Sequence, residues 1–316
     1  MRCHSMFILL ACSAVLGGCG EPLDTQAQTS SGTPGEAANA LTFHTGDFQA
    51  PAGDSFECFY TDTVTDAELN AVSATASQGP GGHHVTVYYT DTPRKPQHHP
   101  CSDAEMASWH QISAAGGEGT SSGAEGLVAL PPGLAVKIGA GKQIVVQSHY
   151  INTTGAPEKV NDSITLNLVE TKDVKAYANY YVMNDDEFEV APQAKLTSQR
   201  TCTLDSDLDT VVLLGHMHQA GKHFKLESAA AEGQPFETLY EHDWTEEYVS
   251  HPPVLSYTME KPLHFKKGAK LRQTCTWNNA GADPLIFPNE MCISFMYYFP
   301  DAGERFCPKD PAPAAP

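Results

Sequence analysis

Three groups of histidines in this sequence stand beside short apolar runs and could bind a metal ion. His216 and His218 are separated by one residue, so on a β-strand both imidazoles lie on one face. His83 and His84 directly follow two glycines, and His149 lies near the end of another apolar run. Neighbouring strand residues face opposite ways, so His83 and His84 can share a metal only if the glycines form a bulge that turns both inward.

The types of donor favour copper over other metals. Hard cations such as Mg²⁺ and Ca²⁺ prefer oxygen ligands, and no carboxylate lies close to the H-x-H pair in sequence. Three imidazoles suit zinc or copper, whereas two imidazoles with a thioether select copper because thioether sulfur is soft. A blue-copper site needs a free thiolate, and the cysteines here are expected to be paired. Taken alone, each motif also fits exposed or core histidines.

The elements that carry these residues are predicted to be β-strands. Short runs rich in Val, Ile, Thr and Tyr alternate with Gly, Pro, Asn and Asp turns, at residues 84–89, 143–150, 163–169, 210–214 and 293–299. One short helix is predicted over residues 102–109. Many short strands with little helix indicate all-β sandwiches. We predict two domains, 41–173 and 174–308, which separate two of the histidine groups.

Both ends of the chain are predicted to lie outside the folded domains. Residues 1–18 combine Arg2 with an apolar run too short to span a bilayer, as in a signal peptide. The letters LGGC ending at Cys19 resemble a bacterial lipobox, which implies acylation of Cys19 and a cell-envelope location. The membrane attachment would then be through lipid alone. An ordinary signal peptide is the alternative. Residues 19–40 are predicted to form a flexible tether and residues 309–316 a disordered tail.

The charge balance argues against one class of partner. The chain has 19 Lys and Arg against 38 Asp and Glu, a formal net charge of −19 at pH 7. Such a surface repels nucleic acid and anionic lipid headgroups. We therefore expect no nucleic-acid partner.

The cysteines indicate an oxidised, exported domain. Three of the nine fall within the first 19 residues. The six that remain are Cys58, Cys101, Cys202, Cys275, Cys292 and Cys307. An even number in an exported chain indicates three disulfides. Counting alone leaves their pairing open.

Taken together, the motifs resemble those of the copper type II, ascorbate-dependent monooxygenases, the family of dopamine β-hydroxylase and peptidylglycine α-hydroxylating monooxygenase. The letters GHH at 82–84, QSHY at 147–150, GHMH at 215–218 and EMC at 290–292 occur in the family's order and approximate spacing. Secondary matches are LPPGLAVKIG, CTWNN and MYYFP. The resemblance runs from about Phe48 to Cys307. It implies two jelly-roll-like β-sandwich domains, each contributing one copper site that faces a water-filled cleft.

The resemblance also implies roles for two sets of metal ligands. They are His83, His84 and His149 for an electron-transfer copper, and His216, His218 and Met291 for a separate, oxygen-activating copper. Gln147 matches a residue beside the first site. The implied enzyme is a copper-dependent monooxygenase that hydroxylates a C–H bond of a small molecule with O2. Its electrons would come from ascorbate or another one-electron reductant. Taken alone, Met291 would more often be a core residue.

Departures from the family bear on the substrate. Leu214 stands where the peptidylglycine enzyme has an arginine that binds the substrate carboxylate. Phe295 and Ile293 stand where that enzyme has a tyrosine and an asparagine that assist it. A peptide precursor with a free carboxylate is therefore not expected, and the pocket should be more apolar.

We also predict a disulfide between Cys275 and Cys292. It closes a loop of about seventeen residues, for which chain-entropy arguments give roughly 3 kcal/mol, and it would fix the strand that presents Met291. Its predicted companions are Cys202–Cys307 and Cys58–Cys101.

Two other functions would use the same residues. One is a copper-binding envelope lipoprotein that buffers or carries the metal without catalysis. The other is a surface adhesion sandwich with vestigial sites, which would bind copper poorly.

Overall fold

The computed structural model describes residues 39–116 and 129–307. The predicted signal peptide, Cys19, most of the tether and the C-terminal tail lie outside the described residues. The first strand begins at Asn39, close to the predicted start of the folded region. Within the described ranges, no helix combines the length and the apolarity needed to cross a membrane.

The N-terminal domain is a β-sandwich, in agreement with the predicted fold class. Its elements are β1 (Asn39–His44), β2 (Phe48–Ala50), β3 (Gly53–Val64), β4 (Leu69–Ser77), β5 (Gly82–Thr90), β6 (Gln97–Pro100), α1 (Asp103–Met106), β7 (His110–Ala115), β8 (Leu134–Ile138), β9 (Gln143–Asn152), β10 (Glu158–Val160), β11 (Ser163–Leu168), a 3₁₀ turn (Thr171–Asp173) and β12 (Ala176–Tyr177). One sheet has the order β1-β11-β4-β8-β12. The other, called here the β5/β9 sheet, has the order β6-β3-β9-β5-β7. Strands β2 and β10 form a separate pair.

The C-terminal domain is a second sandwich. Its elements are β13 (Asn179–Asn184), β14 (Glu189–Val190), β15 (Lys195–Thr203), β16 (Leu208–His216), β17 (Gly221–Ala229), β18 (Glu237–Asp243), α2 (Glu246–Ser250), β19 (Val254–Ser256), β20 (Leu263–Phe265), β21 (Lys270–Asn278), β22 (Leu285–Ile286), β23 (Ile293–Phe299) and β24 (Arg305–Phe306). The β16/β23 sheet has the order β19-β16-β23-β13-β24, with β20 also paired to β16. The opposing sheet is β15-β21-β17-β18, and β14 pairs with β22.

The boundary between the domains lies slightly later than residue 174. Strand β12 still pairs in parallel with β8 of the N-terminal domain. The strands of the C-terminal domain therefore begin with β13. The predicted helix at 102–109 is confined to α1, a single turn.

Burial patterns show which sheet faces are covered. Strand β21 alternates regularly between buried and partly buried residues, as expected for a strand covered on one face. Almost every residue of β9 and β16 is buried, so both of these strands are covered on two faces. The β5/β9 and β16/β23 sheets pack against each other, and one shared apolar core extends through both domains, with Val85 and Ile144 in the first domain and Val212 in the second. A direct hydrogen bond from the Tyr297 hydroxyl to the Ile112 carbonyl, at 3.2 Å, also joins the two domains.

Three disulfides link the pairs that we predicted: Cys58–Cys101, Cys202–Cys307 and Cys275–Cys292. The last of these joins β21 to the residue that follows Met291. It ties the segment before β23 to the core of the C-terminal domain.

Candidate metal centre

A β-bulge turns His83 and His84 toward the same place, as the glycine pair predicted. In the pairing of β5 with β9, Gly82 is opposite Tyr150 and His84 is opposite His149, so His83 is the extra residue. Gly82 is required there because a Cβ would lie 2.6 Å from the Cβ of Gln78. The bulge interrupts the alternation of the strand, so the neighbouring side chains of His83 and His84 do not lie on opposite faces.

The three N-terminal histidines converge through their Nδ1 atoms. The Nδ1 of His83 lies 2.7 Å from Nδ1 of His84 and 3.1 Å from Nδ1 of His149. Ligand atoms bound at about 2.0–2.1 Å to one ion are typically ~3.3 Å or more apart. Both distances from His83 are slightly shorter than those between ligands of one metal ion, and the ligand atoms of all three histidines lie within 4.8 Å of one another.

His149 is held in this orientation by side chains of β3. Its Nε2 lies 2.7 Å from Oδ1 of Asp54, so this nitrogen carries the proton and Nδ1 is left with a free lone pair. The ring of Phe56, directly opposite on β3, stacks on the imidazole with a centroid distance of 4.0 Å. Burial raises the pKa of the Asp54 carboxyl, and the nearby His218 acts against that rise.

The C-terminal pair differs from the prediction in one respect. His216 is the last residue of β16, but His218 lies beyond the end of the strand, in the turn that leads to β17. The two rings are nevertheless close, with centroids 5.1 Å apart. The Nδ1–H of His218 donates to the Asn289 carbonyl oxygen at 3.1 Å, which leaves Nε2 as the nitrogen available to a metal.

Glu290 fixes this turn to the segment that carries Met291. Its carboxylate accepts backbone N–H groups from His218 at 2.5 Å, Ala220 at 2.9 Å and Met291 at 3.0 Å. The side chain is almost fully buried, and burial raises the pKa of Glu290 to about 7 against the opposing effect of these donors. One carboxylate therefore sets the positions of two residues that we predicted to bind the oxygen-activating copper.

The two histidine groups form one cluster, which differs from the two separate sites that we expected. His83 belongs both to a group with His84 and His149 and to a group with His216 and His218, and within each group the ligand atoms lie within 4.8 Å of one another. The ring of His83 is 5.5 Å from that of His216 and 5.1 Å from that of His218. The cause is the packing of the two domains. The histidine-bearing ends of the β5/β9 and β16/β23 sheets meet where the two domains pack together.

The electrostatics of the cluster keep the imidazoles neutral. Burial lowers the pKa of four of these histidines well below the ordinary value, and the neighbouring imidazoles lower it further; the four are His83, His84, His149 and His216. Burial also lowers the pKa of His218. Neutral imidazole is the form that binds metal ions.

The residues present fit a copper ion. The Nε2 atoms of three cluster histidines are buried and have no hydrogen-bond partner among the described residues: His83, His216 and His218. A buried nitrogen without a partner is costly in free energy, and a metal ion would satisfy its lone pair. Imidazole donors with a nearby thioether match the preferences of copper.

A cavity of about 400 Å³ opens beside the cluster. His83, His84 and His216 line it, together with Met291 and Gln147. Met291 is partly buried and packs against the shared core. The three positions that depart from the family, Leu214, Ile293 and Phe295, also lie in the cavity wall. The Nε2 of Gln147 contacts the sulfur of Met106 at 2.8 Å.

Sequence reasoning missed three residues that position the ligands. Asp54 and Phe56 are 95 and 93 residues away from His149, and only the pairing of β3 with β9 brings them together. Glu290 stands next to Met291 in the EMC motif. Its acidic side chain in an otherwise apolar stretch was the available signal.

Comparison with known proteins identifies a family for the C-terminal domain. Residues 176–315 match the model of the copper type II ascorbate-dependent monooxygenase C-terminal domain. No curated protein sequence matches the chain.

The chain has distant similarity to several solved structures. PNGase F from Flavobacterium meningosepticum has a TM-score of 0.37 at 10% identity, over 84% of this chain and 97% of that one. A protein of Sulfolobus turreted icosahedral virus has a TM-score of 0.22 at 9% identity, over 83% and 60% of the two chains. Oxalate decarboxylase from Bacillus subtilis has a TM-score of 0.25 at 7% identity, over 87% and 71%. Scores this low carry no argument about function. The C-terminal domain, residues 176–315, therefore belongs to the copper type II, ascorbate-dependent monooxygenase family.

Proposed function

We propose that this protein is a copper-dependent monooxygenase that hydroxylates a C–H bond of a small molecule. The balanced reaction is RH + O2 + 2e⁻ + 2H⁺ → ROH + H2O. The observation that carries the proposal is a cluster of five neutral imidazoles, three of which line a cavity of about 400 Å³, in a chain whose C-terminal domain belongs to this family.

Two copper ions are proposed, one for each set of ligands. His83, His84 and His149 would hold the electron-transfer copper, and His216, His218 and Met291 would hold the oxygen-activating copper. Copper supplies the one-electron redox chemistry with O2 that no amino-acid side chain provides. The chain's own residues supply neutral nitrogen donors, keep the site dry and orient the substrate against it.

The surroundings of the two histidine groups favour this division of roles. The side chain of Asp54 is 26% exposed while its partner His149 is fully buried, so the N-terminal group has a polar connection to solvent. A water-soluble reductant such as ascorbate could deliver electrons along that connection. His216 and Met291 line the cavity, where the substrate would lie.

The proposal is tested by copper stoichiometry combined with reductant-driven O2 uptake on purified mature protein. We expect two coppers per chain, both with type II electron paramagnetic resonance signals and without intense blue absorption. We also expect O2 consumption that continues as long as reductant and substrate last. A copper buffer would be reduced once and then stop. One tightly held zinc ion with no copper would contradict the proposal.

We also propose that the mature chain is anchored to the bacterial cell envelope by lipid on Cys19. The supporting feature is the LGGC sequence that ends at this residue. Cys19→Ala should abolish acylation and move the protein from the detergent phase to the aqueous phase. Unchanged partitioning of the variant would contradict the anchor.

A further inference from the structure

The cavity beside the histidine cluster has two chemically different walls. The β5/β9 sheet contributes neutral polar side chains, namely Thr86, Tyr88, Gln111 and Gln147. Thr86 and Tyr88 follow His84 at two-residue steps on β5, so they lie on the same face as that histidine. Gln111 is opposite Tyr88 on β7, and Gln147 is opposite Thr86 on β9. These four side chains form one continuous polar surface.

The facing wall is mostly apolar, although Tyr180, Ser250 and Tyr297 also line it. Leu214 on β16 is paired with Phe295 on β23, and the next pair on the same face of the two strands is formed by His216 and Ile293. Pro252 and Phe287 extend this surface outside the sheet. A substrate group that lies along this wall therefore contacts Leu214 and Phe295 and ends beside His216.

Neither wall offers a charge. Among the described residues that line the cavity, none is Asp, Glu, Lys or Arg. Away from the copper ligands, a carboxylate or ammonium group would lose its hydration on entering and would gain no opposite charge from a side chain in return. A neutral hydrogen-bonding group, by contrast, could exchange water for Thr86, Gln111 or Gln147.

From these two walls we propose that the substrate is an uncharged amphiphile, with one amide, carbonyl or hydroxyl group and an apolar ring or chain. Its polar group would lie on the β5/β9 wall and its apolar part on the β16/β23 wall, with the reacting C–H bond beside His216 and Met291. The proposal rests on the proposed function for its chemistry. That C–H bond is replaced by a C–OH bond, and O2 takes two electrons from the reductant to form water with its other oxygen atom.

The volume sets an upper limit on size. At about 400 Å³ the cavity is near the small end of the range for ligand pockets, roughly 300–1,000 Å³. A molecule with one or two rings fits this space, whereas a folded peptide does not.

The test uses four probes of similar size that share a benzylic C–H group but differ in charge and polarity. They are phenylacetamide, phenylacetate, 2-phenylethylamine and ethylbenzene. Binding is measured by calorimetry on metal-free protein, so that the readout depends neither on turnover nor on direct ligation of copper by the carboxylate or the amine. We expect phenylacetamide to bind most tightly, ethylbenzene several-fold less tightly, and the two ions at least tenfold less tightly. Failure of every probe to bind, or binding of either ion as tightly as the amide, would overturn the substrate class.

Two variants examine the walls separately. Leu214→Arg places a cation in the apolar wall and should reverse the preference, so that phenylacetate binds at least tenfold more tightly than phenylacetamide. Leu214→Gln is the neutral control, and Val64→Arg adds the same cation at an exposed site outside the cavity; neither should favour phenylacetate. If Leu214→Arg does not fold, Gln111→Leu tests the other wall, because it should remove the advantage of phenylacetamide over ethylbenzene. An unchanged advantage would overturn the orientation proposed here.

Adding copper and ascorbate separates the two proposals. If phenylacetamide binds as expected but is not hydroxylated and causes no O2 uptake, the substrate class stands and the proposed function fails. If an ionic probe binds and is hydroxylated in preference to the amide, the function stands and the substrate class fails.

Discussion

The two histidine groups are held in place by different parts of the structure. In the N-terminal group, side chains of a neighbouring strand do this work, because Asp54 hydrogen-bonds to His149 and Phe56 stacks on its ring. In the C-terminal group, the ligands are held in place by hydrogen bonds that involve the backbone. The Asn289 carbonyl accepts from the ring of His218, and Glu290 accepts the amides of the turn that follows His216.

This difference has consequences for both metal binding and stability. The N-terminal histidines converge through Nδ1, whereas His218 is left with Nε2 for a metal. A side chain that only orients a ligand, such as Asp54, can be replaced with little effect on the fold, so its loss should appear as weaker metal binding. A buried carboxylate that binds backbone amides cannot be removed in this way, so its loss should also appear as lower stability.

The largest expected effect comes from the residue that the two groups share. His83 is a proposed ligand of the N-terminal copper and also lies beside His216 and His218, so His83→Ala should remove the first copper, weaken copper binding at the neighbouring C-terminal group and abolish turnover. His84→Ala is the matched control and should weaken only the N-terminal group. Copper titration monitored by electron paramagnetic resonance gives the two affinities. If His83→Ala and His84→Ala have the same effect on the C-terminal group, His83 is a ligand of one group only.

The next effect concerns Met291, which supplies a weak, soft donor. Met291→Ala should abolish hydroxylation, because a thioether ligand changes the redox properties of a copper ion more than it changes the affinity for it. The copper of the N-terminal group should still bind and should still be reducible. His149→Ala should also be inactive, but through loss of the N-terminal copper. Each variant should therefore retain at least one copper. Full turnover in Met291→Ala would show that Met291 is a core residue and would exclude it from the oxygen site.

A smaller effect is expected from Glu290→Gln. The amide has one accepting oxygen in place of two, so three backbone N–H groups compete for it. We expect a loss of about 1–3 kcal/mol in the free energy of unfolding, measured by urea denaturation of copper-free protein. Copper affinity should fall in the C-terminal group and not in the N-terminal group. Glu237→Gln, at an exposed position on β18, is the control and should change neither. Equal stability of the two variants would contradict the role assigned to Glu290.

The sequence was sufficient to predict local features of both groups. The apolar runs at 143–150 and 293–299 lie within β9 and β23, and the glycine pair correctly indicated the bulge at His83. These features depend on residues that are close together in the chain. Turn chemistry and alternation are sufficient to define them.

The sequence did not predict the convergence of the groups or their supports. The distance between His83 and His216 depends on how the β5/β9 and β16/β23 sheets pack, and no local pattern encodes that packing. Asp54 meets His149 through a strand pairing whose register is fixed only in the folded domain. His218 was expected on the strand with His216, but β16 ends there because the carboxylate of Glu290 binds the amides of the following turn.

The smallest expected effect is specific to the N-terminal group and completes the comparison. Asp54→Asn preserves the size of the side chain but removes its charge, so the amide no longer fixes the proton on Nε2 of His149 as strongly. Outer partners of metal-bound histidines typically contribute about 10- to 100-fold in affinity, and we expect a loss in that range for the N-terminal copper alone. The stability of the copper-free protein should change little, because the side chain of Asp54 is 26% exposed.

Asp47→Asn, at an exposed carboxylate that pairs with Lys159, is the control. Asp54 also lies close enough to His218 to affect its pKa, so the C-terminal copper must be titrated in the same sample. An equal loss at both coppers would mean that Asp54 acts through its charge on the whole cluster and that its hydrogen bond to His149 is secondary.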